Sequence, residues 1–494
     1  MNERLSKAAR VTKAICLVLS CAYILLWIGL AYLRLVYPYE VEWMEGAMMD
    51  HAVRIIAGKP IYTAPTIDFV AWLYPPFYYY VVAGVMKLIG IGWFAGRLVS
   101  IVSTILTAIL LGLITKRITA SSLLAFFTLA LYIATYYATG FYFDIVRNDA
   151  FFTLLLVLTA FCALRIRGTT GVIITAVMLL LAFFTKQQAV FFLLPLILWY
   201  WLKSWKSGIA FISISISIGI LALILLNSQT HGWLIYYLFK IPNAKRADFS
   251  WIRMLDVFPG YVFSMFTICS LALFTLIMMC RESARAFWGS AIGLLVMMAL
   301  AALIVGAVSL GNEGGYANVM MPFAAFVVPM LPIAMYEIPM FKPEFGRFVY
   351  LALLIQLLSF YYNPLSKKML IASKNQKRGG DEFMRALSQI QGEVFIPYHG
   401  FIAWQAGKAT HAHVLAMMDV LRMHDTTAAR LQSDLDSAYA RHRFAAVILD
   451  ESTVFSRDSV EHYTYSRRMI AEPNIYLTRV ASEVTRPEYL FIPR

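Results

Sequence analysis

Apolar stretches of about 20 residues recur along most of the chain, and a helix of this length crosses a hydrocarbon layer roughly 30 Å thick. The 494 residues are 60% hydrophobic and only 14% charged, and the mean hydropathy is +0.69. The sequence therefore predicts a polytopic α-helical membrane protein and not a series of soluble domains.

Small groups of Lys and Arg separate the apolar stretches, and such groups mark the cytoplasmic side of a membrane protein. Starting from the basic N-terminus, this rule predicts eleven spans, with the N-terminus inside and the C-terminal region outside. The first spans are placed at 14–36, 97–115, 121–139 and 150–164, and the last at 348–362. The apolar run at 75–90 would invert every later loop if it crossed the membrane, so we expect a helix in the outer interface.

The net charge of +14 raises the question of a nucleic-acid partner. Most of the basic residues lie in the short loops between apolar stretches, where topology requires them. Part of the excess lies in the C-terminal region, where it would meet anionic lipid or phosphate groups. Membrane lipids are therefore expected partners, and nucleic acid is not.

The composition changes after residue 362. Residues 363–494 are charged and contain no spanning run, whereas two short apolar segments, GEVFIPYHG and FAAVILDE, have the pattern of buried strands. Helical periodicity covers 426–441, and a last strand is expected at 489–493. The sequence thus predicts a membrane module over 1–362, with a first outer loop at 37–96 that carries interfacial helices, followed by a small α/β domain over 363–494 on the outer face.

Two carboxylates stand three residues apart in the first outer loop. Glu42 and Glu45 would share one face of a helical turn. Carboxylates at a membrane surface carry a desolvation cost, so they usually have a task. At this spacing they could act as a general base, bind a cation or remain solvated.

Other polar residues of the predicted outer face lie next to the ends of spans: Asp144, Arg147, Asp149, Lys186 and Asn318. Carboxylates and an isolated lysine at one face suit a substrate that carries both a phosphate and a hydroxyl group. Structural interpretations remain open: a self-neutralising cluster at 144–149, a helix cap at 186 and a turn at 311–318. The sequence has no phosphate-binding loop and no dinucleotide fingerprint.

The order of these features resembles the GT-C superfamily of integral-membrane glycosyltransferases. The matching elements are WMEG with Glu45, AGKPIY and YPPFYYY in the first outer loop, GR at 96–97, DIVRND at 144–149, TKQ at 185–187 and GGYANVMMP at 314–322. Members similar to this chain include protein O-mannosyltransferases and bacterial lipid A aminoarabinose transferases. The likeness covers most of 26–332.

This resemblance implies transfer of a sugar, with inversion, from a polyprenyl-phosphate donor to a lipid, polysaccharide or protein acceptor at the periplasmic face of a bacterial inner membrane. By position, Glu45 would be the general base. Many relatives have Asp-Glu where this chain has Met44-Glu45, and this departure leaves Glu42 as the second candidate for the base. Asp149 would assist the reaction or hold a divalent cation, although the residues leave metal dependence open. The expected substrate contacts are Arg147, Lys186, Asp144, Tyr74, Tyr78 and Asn318.

Three other functions remain as alternatives. A flippase or transporter for a lipid-linked glycan would need no chemistry, but transporters favour charges near the membrane midplane and repeated halves. An O-antigen ligase or polymerase would use an oligosaccharide donor. A membrane assembly factor would need no active site at all.

Overall fold

The computed structural model describes residues 2–244, 249–341, 348–361, 370–450, 461–470 and 485–494. Helices account for most of them. In the membrane module they are α1 (Asn2–Leu35), α2 (Glu45–Ile56), α3 (Phe77–Ile89), α4 (Trp93–Thr119), α5 (Ser122–Ala134), α6 (Asn148–Arg165), α7 (Gly168–Phe183), a 3-10 helix (Gln187–Phe192), α8 (Leu193–Lys203), α9 (Trp205–Gln229), α10 (Trp233–Ile235), a π-helix (Tyr236–Lys240), α11 (Ile241–Ala244), α12 (Trp251–Ser264), α13 (Phe266–Trp288), α14 (Ala291–Gly311), a second 3-10 helix (Ala317–Met320), α15 (Met321–Val327), α16 (Met330–Phe341) and α17 (Val349–Tyr361).

Six helical segments in the described ranges are long and apolar enough to cross a membrane, and the bent pair α12–α13 would make a seventh. Four shorter apolar helices accompany them: α3, α5, α7 and residues 349–360 of α17. The exposed surface of α9 is apolar, with Ile216, Ile220 and Ile224 each about half exposed or more. Because such a surface is stable in lipid but not in water, the multi-pass membrane class is confirmed. The count of eleven spans remains a prediction.

The first outer loop carries helical structure, and its N-terminal part is buried. It contains α2 and α3, in agreement with the helices expected there. With 13 residues, α3 is about 20 Å long, too short for a hydrocarbon layer of roughly 30 Å. Between the end of α9 and α13 the chain carries the short helices α10 and α11, a π-helix and α12.

The C-terminal region forms a four-stranded mixed sheet with helices around it. The helices are α18 (Lys374–Gln389), α19 (Gly400–Gln405), α20 (Val414–Leu421) and α21 (Thr426–Ala440). The strands are β1 (Val394–Phe395), β2 (Ala446–Leu449), β3 (Tyr463–Arg468) and β4 (Tyr489–Pro493), in the spatial order β1-β2-β4-β3.

In this sheet β1 and β2 run parallel, with Phe395 opposite Val447, and the other pairs are antiparallel. The strands β1, β2 and β4 and the helix α21 confirm the sequence prediction. The edge strand β3 was not predicted, because its YTYSRR sequence is almost wholly exposed and lacks an apolar face.

The C-terminal domain packs directly on the first outer loop. Its contacts include a backbone hydrogen bond from Ala412 N to Ile67 O of 2.8 Å and an ion pair between Arg443 and Asp68 of 2.6 Å. Residues 37 and 39–49 are all buried in this region. The predicted domain boundary at 362/363 lies outside the described residues.

Candidate active site

Glu45 is the most completely bonded carboxylate of the first outer loop. It lies in the first turn of α2 and has no exposed surface. Its Oε1 accepts hydrogen bonds from Arg97 Nε at 3.0 Å and Val146 N at 2.8 Å, and its Oε2 accepts from Arg97 Nη2 and Val41 N, both at 2.8 Å. Burial alone would raise the pKa of Glu45, but Arg97 and the two backbone donors hold it below its usual value.

Arg97 connects this carboxylate to the end of α1. Its Nη1 donates to the carbonyl oxygens of Arg34 at 2.7 Å and Tyr37 at 2.6 Å, and Nη2 donates to Tyr39 O at 2.5 Å. The neighbouring Gly96 permits this approach, since a Cβ there would lie 2.8 Å from the Val146 side chain. The GR element therefore holds three chain segments together.

Asp144 is paired with Arg34, whose carbonyl oxygen accepts a hydrogen bond from Arg97. It forms an ion pair of 3.3 Å with Arg34 and accepts a hydrogen bond of 2.8 Å from Tyr136 Oη. The structure thus separates Asp144 from Asp149, although both come from the DIVRND element. The predicted substrate contact at Asp144 is untested, but its carboxylate already has two buried partners.

A second, less saturated network begins at Glu42. Glu42 Oε1 lies 3.4 Å from Arg147 Nη1, and Oε2 accepts a hydrogen bond of 3.1 Å from Met44 N. Arg147 Nε lies 3.7 Å from Asp149 Oδ2, and Asp149 Oδ1 accepts from Lys186 Nζ at 2.7 Å. Burial, reinforced by the nearby Glu45, raises the pKa of Glu42 to about 8 despite the opposing effect of Arg147.

Three breaks in helical structure position this network. Arg147 is in an extended conformation immediately before α6, and Asp149 lies in the first turn of that helix, where a carboxylate is favoured. Lys186 is extended between α7 and the 3-10 helix that follows it. Asn318 lies in the second 3-10 helix and donates a hydrogen bond of 2.9 Å to Asp149 Oδ1.

Several polar atoms around Asp149 are buried without a hydrogen-bond partner among the described residues. They are Arg147 Nε, Asp149 Oδ2, Asn318 Oδ1 and Tyr142 Oη. The Arg147 guanidinium lies 5.7 Å from the centre of the Tyr142 ring, and Tyr142 lies within electrostatic range of Asp149. Buried polar groups without partners are costly, and a cluster of them is expected where a ligand binds.

The predicted aromatic contacts lie beside this network. Tyr74 stacks on Trp72 with ring centroids 6.3 Å apart, and it lies within electrostatic range of Arg147. Tyr78 is buried against Phe151, with ring centroids 6.3 Å apart. Neither tyrosine has a demonstrated substrate contact.

A divalent cation at Asp149 does not fit the donor set around it. Lys186 and Asn318 both hold Asp149 Oδ1, and Arg147 faces Oδ2. No group of three or more His, Cys, Asp or Glu side chains suited to a metal occurs among the described residues. A cation bound to Asp149 would have to displace the lysine ammonium, so we derive no reaction step through a metal.

The sequence motifs predict most of this network, but Arg34 lies in none of them and Arg97 enters only as part of the GR element. Both arginines lie at the predicted outer ends of spans. The positive-inside rule predicts few basic residues there. An arginine on the outer side is therefore the signal that could have identified them.

Comparison with solved structures identifies the fold. ArnT from Cupriavidus metallidurans in the apo state matches with a TM-score of 0.58 at 11% identity, over 95% of this chain and 99% of ArnT. The same ArnT bound to undecaprenyl phosphate matches with a TM-score of 0.48 at 12% identity, over 86% and 80% of the two chains. The oligosaccharyltransferase AglB from Archaeoglobus fulgidus, in complex with an inhibitory peptide and a dolichol-phosphate, matches with a TM-score of 0.47 at 10% identity, over 89% and 69%.

The match to apo ArnT shows that the chain has the GT-C fold. The particular family model that it matches is that of dolichyl-phosphate-mannose-protein mannosyltransferases, over residues 74–233. That range includes Arg147, Asp149 and Lys186 but neither Glu42 nor Glu45. No curated protein matches the chain in sequence.

Proposed function

We propose that the protein transfers a sugar from a polyprenyl-phosphate donor to an acceptor hydroxyl group at the periplasmic face of a bacterial inner membrane. The observation that carries this proposal is the buried network of Glu42, Arg147, Asp149, Lys186 and Asn318, several of whose polar atoms have no hydrogen-bond partner among the described residues. Two cations and a candidate base in one enclosed site suit a phosphate-linked donor and a hydroxyl acceptor. The orientation of the network towards the periplasm is part of the proposal.

Glu42 is a better candidate for the general base than Glu45, although the sequence resemblance favours Glu45. A base needs an available lone pair and a pKa near the working pH. Glu45 offers neither, because four hydrogen bonds occupy its oxygens and its pKa is lowered. Glu42 has two longer contacts and a pKa of about 8.

The departure from the Asp-Glu pattern at Met44 supports the same assignment. Met44 Sδ lies 2.6 Å from Arg147 Nη1, the same nitrogen that faces Glu42 Oε1 at 3.4 Å. An acidic residue at position 44 would therefore face Arg147. Met44 has no charge, so position 44 provides no carboxylate to Arg147. Glu42, two residues earlier, provides it instead.

Sugar transfer needs only the donor, the acceptor and a base. The acceptor oxygen attacks the anomeric carbon, and its proton passes to Glu42 Oε1 or Oε2. The bond between the anomeric carbon and the phosphate oxygen breaks, and the lipid phosphate leaves with the electron pair. Attack opposite the leaving group inverts the anomeric configuration. Arg147 and Lys186 stabilise the charge that develops on the phosphate.

An apolar cavity, whose lining includes Phe183 and Ala189 on either side of Lys186 in the sequence, suits the lipid part of the donor. It has a volume of about 180 Å³ and lies between α7, α8, α9 and the 3-10 helix that begins at Gln187. Its lining includes Leu179, Leu193, Ile216 and Gly219. A phosphate held by Lys186 would place the first isoprene units of the carrier close to this cavity. The ArnT structure with undecaprenyl phosphate provides the precedent for such a carrier.

The proposal is tested with purified full-length protein in detergent and a panel of radiolabelled polyprenyl-phosphate sugars, each supplied with bacterial envelope lipids and peptidoglycan fragments as acceptors. We expect one donor to lose its label to an acceptor, with the released polyprenyl phosphate detected by chromatography. Flip of the lipid-linked sugar across proteoliposomes without any loss of label would instead establish a transporter and overturn the proposal.

A further inference from the structure

One histidine joins the C-terminal domain to the first outer loop. His399 immediately precedes α19, and its side chain has no exposed surface. Its Nδ1 contacts Glu40 Oε2, and its Nε2 lies 2.9 Å from Asp450 Oδ2. Glu40 lies between α1 and α2, whereas Asp450 follows β2. The imidazole ring therefore lies between a carboxylate from each part of the molecule.

The two contacts require an additional proton. Neutral imidazole has one N–H donor, but both ring nitrogens face carboxylate oxygens. Both contacts become hydrogen bonds when His399 is an imidazolium or when one carboxyl group is protonated. Burial disfavours the charged ring, but Asp450 and Glu40 outweigh burial and raise the pKa of His399 to about 10.

A third carboxyl group adjoins the bridge. A Cβ atom at Gly400 would lie 2.7 Å from Asp50 Oδ2, so α19 approaches α2 closely at this point. Asp50 Oδ1, Glu40 Oε1 and Asp450 Oδ1 are all buried without a hydrogen-bond partner among the described residues. Burial raises the pKa of Glu40 to about 7 and that of Asp50 well above its usual value.

Other ionisable groups face this cluster. Glu45 lies near Glu40, His413 lies near His399, and Arg486 lies near Asp450. Burial and the neighbouring His399 lower the pKa of His413 to about 3, so this second ring stays neutral. Two carboxyl groups with raised pKa values and one imidazolium thus meet at a single contact between the two parts of the chain.

We propose that His399 is a positioning residue: it forms a proton-bound bridge that fixes the C-terminal domain to the first outer loop and so holds the segment that carries Glu42. Glu40 is two residues from Glu42, and its free oxygen packs against Gly46 at the start of α2. The effect on Glu42 rests on the proposed function. The bridge itself does not depend on it.

Above about pH 6.5, where the lowered pKa of His413 no longer contributes, the pH dependence of the bridge has one sign. The pKa values of His399, Glu40 and Asp50 are all raised in the docked structure, so docking takes up protons. Stability that comes from raised pKa values is fully present at low pH and is lost as pH rises through the docked values. Docking is therefore expected to weaken as pH rises from about 6 towards about 10.

Hydrogen–deuterium exchange of the full-length protein in detergent measures docking without any substrate. The reporting peptides cover 37–48 and 399–405, and labelling times are scaled for the intrinsic pH dependence of amide exchange. In the wild type we expect the corrected exchange of both peptides to be about tenfold faster at pH 8.5 than at pH 6.5. The control His442→Gln changes an exposed histidine of the same domain and should behave as wild type.

Two variants distinguish a proton-bound bridge from a simple packing contact. His399→Gln should exchange fast at both pH values. Glu40→Gln should lose most of the pH dependence, because the amide can donate to Nδ1 of a neutral His399 whose Nε2–H still donates to Asp450, and only Asp50 keeps its raised pKa. Wild-type exchange in His399→Gln, or a wild-type pH dependence in Glu40→Gln, would overturn the bridge.

Turnover of the donor tests the positioning effect separately. We expect kcat at pH 7 to fall about tenfold in His399→Gln and to stay near wild type in Glu40→Gln, while KM for the donor is unchanged in both. If exchange follows the expected pattern but kcat in His399→Gln equals that of the wild type, the bridge stands and its effect on Glu42 is refuted. A failure of all sugar transfer in the wild type would refute the proposed function and leave the exchange result unaffected.

Discussion

Two carboxylates three residues apart in the first outer loop have opposite surroundings. Glu45 accepts four hydrogen bonds, two of them from Arg97, and its pKa is lowered. Glu42 has two longer contacts, and burial raises its pKa. A buried carboxylate whose charge is balanced by hydrogen bonds and a cation stabilises the structure. A buried carboxylate with fewer such partners has a raised pKa and can exchange a proton. The comparison assigns the two residues different tasks despite their similar sequence context.

The contrast extends to the arginines that face these carboxylates. Arg97 donates to three backbone carbonyl groups as well as to Glu45. Arg147 keeps its Nε without a hydrogen-bond partner among the described residues, although Asp149 lies 3.7 Å away. One guanidinium is therefore committed to holding the loop, and the other has a donor available for a ligand.

The largest expected effect on stability is at Glu45. Glu45→Gln leaves the buried Arg97 without its carboxylate partner, and breaking a buried pair in this way costs about 3–5 kcal/mol. Thermal unfolding in detergent should show a clear fall in Tm. The matched change Glu42→Gln, which removes only one 3.4 Å pair, should leave Tm nearly unchanged. Equal losses in the two variants would remove the distinction between the two carboxylates.

The next effect is on donor binding. Lys186→Gln removes the ammonium that lies 2.7 Å from Asp149, and with it a cation for the donor phosphate. Loss of one buried charge-assisted contact should weaken donor affinity by about 10- to 100-fold. Titration with a polyprenyl phosphate that lacks a sugar measures this loss directly. Lys240→Gln, at an exposed ion pair, is the control. Unaltered affinity in Lys186→Gln would exclude this lysine as a phosphate contact.

The pH profile sharpens the assignment of the base. Glu42 must be ionised to accept a proton, and its pKa is raised to about 8. We therefore expect kcat/KM to rise about tenfold per pH unit below about 8 and to level above it. Weakening of the His399 bridge over the same pH range opposes this rise and should turn the plateau into a decline above about pH 8. A profile that is flat from pH 6 to 8 would contradict the role of Glu42 as the base.

The smallest expected effect concerns the lipid cavity. Gly219 lies in its wall, and a Cβ atom there would meet only Leu180 Cδ1, at 3.8 Å. Gly219→Phe should fill the cavity and raise KM for a long-chain donor a few-fold, with little change for a short-chain analogue. Gly29→Phe, at an open position on α1, is the control. Equal KM values for both chain lengths in Gly219→Phe would refute the assignment of the cavity.

The sequence predicted the fold better than the roles within the site. Apolar length and basic loops were sufficient for a helical membrane protein, and apolar segments bounded by turns located β1, β2 and β4. The exposed strand β3 carries no apolar pattern and could not be found in that way. The separation of Asp144 from Asp149 follows from the extended conformation of Arg147 just before α6, which spacing alone does not indicate.

The roles of Glu42 and Glu45 depend on contacts between distant segments. Val146 N and Arg97 reach Glu45 from positions 101 and 52 residues away. His399 likewise reaches Glu40 across 359 residues. The chain order of motifs identified which elements belong to the site, but the hydrogen bonds that saturate one carboxylate and not the other arise only in the folded molecule.

The most direct test compares donor consumption by Glu42→Gln and Glu45→Gln at a temperature at which both variants are folded. If Glu42 is the base, its amide variant should lose about 10²- to 10⁴-fold in kcat, while folded Glu45→Gln keeps kcat within about tenfold of wild type. Full turnover by Glu42→Gln, together with an inactive but folded Glu45→Gln, would contradict the account and return the role of base to Glu45.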